Sequence, residues 1–75
     1  MKLRELKVAE TGVVTGFSSS EPAYRQQLLR MGFTKNATFK VVRKAPLDGP
    51  IEVEIRGSRV VLRSDEADVL EVDAT

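Results

Sequence analysis

The 75-residue sequence contains no cysteine and no histidine. Without thiols there is neither a disulfide framework nor a thiolate nucleophile, and nothing in the composition calls for an oxidising compartment. Without imidazole, the commonest general base and the commonest transition-metal ligand are both missing. No apolar run approaches the roughly 20 residues that a membrane-spanning helix needs, and Met1 to Leu6 lacks the apolar run of a secretion signal, so a soluble, cytoplasmic chain is expected. A charge excess is absent too. Twelve Lys and Arg stand against eleven Asp and Glu, a net charge of +1, which argues against nucleic acid or an acidic membrane surface as a partner. Aromatic residues are scarce: Phe17, Tyr24, Phe33 and Phe39. Proline-rich ligands are read by aromatic-lined grooves, so a reader of such motifs is not expected.

The same absences weigh against chemistry. Ser18, Ser19 and Ser20 have no histidine to activate them, and Gly12-x-x-x-Gly16 lacks the lysine and hydroxyl of a phosphate-binding loop. Those two glycines are better explained as relief of strand crowding or room for a bulge. Asp65, Glu66 and Asp68 form the densest carboxylate group, yet their spacing matches no calcium loop, and acids beside a polar turn are usually solvated. No enzyme, no cofactor and no metal site is expected.

What remains is a pattern of short strands around one helix. At this length a single domain spanning 1–75 is expected, close to the lower limit at which an apolar core holds a fold unaided. Val13 to Phe17 reads as a strand, and the serines after it are candidate helix N-caps. Pro22 suits a first helical turn, and AYRQQLLRM continues in good helix formers to Gly32, a C-terminal cap beyond which Phe33 folds back on Leu28 and Met31. In FKVVRKA, Phe39, Val41 and Arg43 alternate with Lys40, Val42 and Lys44. Ile51, Val53 and Ile55 alternate with Glu52, Glu54 and Arg56 as a half-buried strand, Gly57-Ser58 is placed at the positive-φ hairpin turn, and Val60 and Leu62 share one face of the return strand. SDEA reads as a single helical turn and Leu70 to Asp73 as a closing strand. Five short strands joined by tight turns predict a mainly β, small barrel with one inserted α-helix, because closure removes most exposed edges.

Three segments taken together, VTGFSSSEPAYRQQLLRMGF, FKVVRKAPLDGPIEVEI and VVLRSDEADVLEV, closely resemble the FeoA family of small bacterial proteins, over roughly residues 13 to 73. The resemblance implies an SH3-like β-barrel, a cytoplasmic location that is peripheral to the inner membrane only through a partner, and an accessory role beside FeoB, the membrane protein that carries a GTP-binding domain and moves Fe²⁺ inward. It does not imply an iron carrier, since a selective Fe²⁺ site normally wants imidazole or thiolate. Two departures from the family pattern stand out. Lys35-Asn36 replaces a Pro-Gly pair after the helix, where Asn tolerates the left-handed region, and Asp48-Gly49-Pro50 replaces Gly-Asp-Pro, which moves the flexible position by one.

A protein without chemistry of its own acts through a surface. Tyr24, Leu28 and Met31 are spaced i, i+4, i+7 along one helical stripe bordered by Leu29, with Arg25 and Arg30 as flanking charge. Adjacent leucines point about 100° apart, so either the apolar stripe is broad or one leucine faces outward. Tyr24, Arg25, Leu28, Leu29, Arg30 and Met31 are therefore the candidate partner-binding residues. Arg43, Lys44, Arg56, Arg59 and Arg63 could extend a basic patch, although most surface cations are simply solvated. The leading expectation is an accessory of FeoB-mediated ferrous iron uptake. The alternative is an SH3-like interaction module of the kind that ends iron-dependent transcriptional repressors.

Overall fold

A computed structural model describes residues 1–18 and 22–75. A short 3-10 turn (Leu3–Glu5) precedes β1 (Thr11–Phe17), α1 (Pro22–Arg30), β2 (Thr38–Lys44), β3 (Ile51–Ile55), β4 (Ser58–Leu62), α2 (Ser64–Val69) and β5 (Leu70–Ala74). The strands form one antiparallel sheet in the order β4-β3-β2-β1-β5, and α2 is the short bridge that carries the chain from one end of the sheet to the other. Mainly β with one inserted helix is thus the observed class, and α2 extends the expected SDEA turn by two residues to Val69.

Alternation decides what is buried. Ile51, Val53 and Ile55 point inward with Leu62, Leu70 and Val72 while Glu54, Arg59 and Val61 remain outside. Phe33 and Phe39 meet edge to face at 6.3 Å in the same core, beside Leu3, Leu6, Val14 and Leu28. Of the two glycines of β1, Gly12 relieves crowding, whereas Gly16 has open space around it and sits at a bulge. A Cβ on Gly12 would come within 2.7 Å of the Phe39 ring and 2.9 Å of Leu6, and the register of β1 against β5 shifts between Val14 and Gly16.

Several boundaries differ from the sequence reading, each for a pairing reason. β1 begins at Thr11, because Thr11 and Gly12 pair with Lys40 and Phe39. The hairpin turn is Arg56-Gly57, with φ of 53° and 79°, and Ser58 already belongs to β4 opposite Ile55. Two consecutive left-handed residues match the twist of the flanking strands, and that turn keeps Ile55 facing the core. In β2 the register shifts between Val41 and Arg43, so Arg43 does not share a face with Phe39 and Val41; it lies exposed opposite Glu52. Asn36 takes the left-handed conformation as expected (φ 73°), but in the following loop the positive φ falls on Leu47 and Asp48, not on Gly49.

Barrel closure by strands alone is not what the pairing provides. The outer edge of β5 is bridged at Lys2↔Glu71, where the Val72 N–H donates to the Met1 carbonyl at 2.9 Å, while β4 ends the sheet on the other side.

Candidate functional site

The helix α1 is fixed at its C-terminus and on one side. At its C-terminus the Phe33 N–H donates to the Leu28 carbonyl (3.0 Å) and the Gly32 N–H to the Leu29 carbonyl (3.1 Å), with Gly32 at φ 102°. This Schellman closure needs a left-handed residue at Gly32 and drives Phe33 back against Leu28. At the other end, the expected caps Ser19 and Ser20 lie outside the described residues. Ser18 is not a cap: its Oγ accepts from Lys2 Nζ at 2.7 Å and donates to the Asp68 carbonyl at 3.0 Å, tying β1 to α2.

Sideways, two hydrogen bonds lock α1 to α2. Tyr24 donates its hydroxyl proton to Asp65 Oδ2 at 2.7 Å, and Gln27 Nε2 donates to Glu66 Oε2 at 2.7 Å. Glu66 is buried, and its second oxygen accepts the Arg63 N–H at 2.9 Å, so this carboxylate caps α2 and receives α1 at once. The Tyr24 hydrogen bond holds the Asp65 carboxyl below its usual range, aided by the backbone N–H of Glu66. Asp68 is engaged by Arg4 at 2.7 Å. Each of the three carboxylates therefore has a structural partner, and among the described residues no cluster of acids could hold a metal ion.

The helical stripe divides cleanly. Leu28 is fully buried, and Tyr24 and Met31 pack half-buried against the core, so this stripe holds the helix to the barrel. Leu28 is accordingly withdrawn from the partner-binding candidates: no partner can reach it. Leu29 is 42% exposed, and Arg25, Gln26 and Arg30 are exposed around it. The Arg25 guanidinium lies 5.7 Å from the centre of the Phe17 ring, which spreads this cation along the surface beside Leu29. The outer face of α1 thus presents one apolar side chain framed by two arginines, a composition that interfaces favour. Beside the inner margin of the helix runs a groove of about 620 Å³, lined by Tyr24, Gln27 and Met31 on one wall and by Pro50, Val61 and Arg63 on the other. Gln27 and Val61 carried no signal of this in the sequence, because their neighbours come from segments remote in the chain.

The description FeoA domain belongs to the family model that matches residues 1–74. An Fe(2+) transport protein A of Campylobacter jejuni is 34% identical over 73 residues, 97% of each chain. A Porphyromonas gingivalis protein described as a fusion of Fe(2+) transport protein A with the Fe(2+) transporter FeoB is 33% identical over 73 residues, which cover 97% of this chain and 8% of that one. Among solved structures, FeoA from Chlorobium tepidum superimposes with a TM-score of 0.86 at 40% identity, over 99% of this chain and 70% of the other. Stenotrophomonas maltophilia FeoA, described as a prokaryotic SH3 domain protein, gives 0.82 at 30% identity over 97% and 89%. A manganese-dependent transcriptional repressor shares the fold, with a TM-score of 0.89 at 23% identity, over 100% of this chain and 41% of its own.

Proposed function

The chain belongs to the FeoA family, and on that premise we propose that it is a non-enzymatic accessory of bacterial ferrous iron uptake that docks on FeoB through the outer face of α1. The observation that carries this reading is the fusion of a full-length FeoA-type segment to FeoB in a relative. A covalent link raises the effective concentration of one segment against the other, which favours pairs that act together. An exposed leucine framed by Arg25 and Arg30 supplies a surface for such contact. No helix among the described residues is long and apolar enough to cross a membrane.

The test is co-purification with FeoB from native membranes, run with Leu28→Gln and Leu29→Gln. Leu29→Gln is expected to keep its melting temperature and to lose at least about tenfold in recovered FeoB, since a central interface residue can contribute 2 kcal/mol or more. If Leu29→Gln recovers FeoB in full, the helix is only a structural lid. Capture of a helix-turn-helix protein in place of FeoB would instead favour the repressor-type module.

A further inference from the structure

Strand β4 pairs with β3 on one side and ends the sheet on the other. The two-residue turn fixes which of its backbone groups are used. Ile55↔Ser58 flanks that turn as a hydrogen-bonded pair, so Val53↔Val60 and Ile51↔Leu62 are hydrogen-bonded pairs as well. The N–H and C=O of Arg59 and Val61 therefore point away from β3, and among the described residues no hydrogen bond reaches them. At Arg63 the free edge stops, since its N–H donates to Glu66 Oε1 at 2.9 Å and its carbonyl accepts from the Ala67 N–H at 2.8 Å. The opposite edge of the sheet is already covered by Met1 and Lys2.

The side chains on this edge have a definite chemistry. Arg59, Val61 and Arg63 are all exposed on the outer face, Val61 at 58%. On the β3 side this basic-apolar-basic row meets acids: Glu54 stands opposite Arg59 and Glu52 opposite Val61, with Arg59 Nη1 3.9 Å from Glu52. On the free side the same row has no neighbouring strand. The space beside it is open, because the groove lined by Val61 separates the edge from Tyr24 and Met31 of α1.

We infer that the free edge of β4 receives an extended acidic segment of a partner protein as a sixth strand, with carboxylates two residues to either side of an apolar residue. The backbone of Arg59 and Val61 supplies the ladder, Val61 meets the apolar residue, and Arg59 and Arg63 face the carboxylates. A second copy of this chain fits poorly, since a two-fold axis through Val61 would set Arg59 of one copy against Arg63 of the other. The inference concerns a surface separate from Leu29 and does not depend on the FeoB reading.

The test is a titration of the ¹⁵N-labelled full chain with the blocked heptapeptide TETVTET, alongside TKTVTKT and a TETVTET methylated on alternate backbone nitrogens. The expected result is saturable shift changes and slowed hydrogen exchange at the Arg59 and Val61 amides. TKTVTKT should bind at least about tenfold more weakly, because two opposite cross-strand pairs turn from attraction to repulsion. The variant R59E/R63E should reverse the preference between the two peptides, and Leu29→Gln should leave it unchanged. The proposal is overturned if the Arg59 and Val61 amides do not respond, if the peptides bind alike, or if the methylated peptide binds as well as its parent.

Discussion

Leu28 and Leu29 divide the two tasks of α1 between neighbouring residues. One is fully buried beside Phe33 and the other 42% exposed between arginines. Leu28→Gln removes core contacts and buries an unpaired amide, so about 3 kcal/mol or more of stability is expected to vanish, whereas Leu29→Gln should stay within about 0.5 kcal/mol. The sequence indicated that one leucine of the pair could face outward. Which one depends on the rotation of the helix about its axis, and that is set by Tyr24 on Asp65, Gln27 on Glu66 and the Gly32 closure. Two of those three contacts join residues about half the chain apart and leave no local trace. The Tyr24 contact also gives a pH dependence. Because the Asp65 carboxyl titrates lower in the folded state, chiefly through the Tyr24 hydroxyl, its contribution is present above the unfolded pKa of about 4 and fades as pH falls through the folded value. Tyr24→Phe is expected to move the Asp65 titration upward in a carboxyl-detected NMR experiment; an unmoved midpoint would mean that the tyrosine does not govern it.

At the scale of elements, the β3–β4 hairpin was the most legible part of the molecule, because Ile51, Val53 and Ile55 alternate with charged residues without interruption. Its turn lies one residue earlier than the Gly57-Ser58 pair suggests, since Gly57 fixes one left-handed position and says nothing about whether Arg56 or Ser58 supplies the other. The bulge in β2 was invisible for a different reason: it is a property of pairing with β3, not of the FKVVRKA segment alone. Gly49 misled as well, because Leu47 and Asp48 hold the positive φ, while a Cβ on Gly49 would sit 2.9 Å from that of Ala45. Ile55 lies at the end of the hairpin, 1% exposed among the core side chains. Ile55→Ala is expected to cost about 2–5 kcal/mol and to lower the circular dichroism melt accordingly. An unchanged melt would remove Ile55 from the core and with it the inward face of β3.

For the whole molecule, strand count, element order and the inserted helix were readable, and resemblance supplied the SH3-like architecture. The edges were not. Closure by strands was expected, and instead one side is sealed by Met1 and Lys2 on β5 while β4 ends the sheet. Neither arrangement follows from alternation, since the alternation of Met1 to Arg4 breaks at Glu5 and an edge strand looks like any other in sequence. The pairing of β1 with β5, in which Gly12 meets Ala74 and Val14 meets Val72, joins distant parts of the chain, while β2, β3 and β4 are linked by short loops. Closing a long loop costs entropy before its contacts repay it, so the local meander is expected to form early and β1 to settle late. Stopped-flow refolding should give a high φ-value for Val53→Ala and a low one for Val72→Ala, and the reverse ranking would refute this order. On the ribosome the same asymmetry becomes a matter of timing: the meander can assemble while synthesis continues, but β1 keeps an unpaired, aggregation-prone edge until Leu70–Ala74 has emerged to cover it.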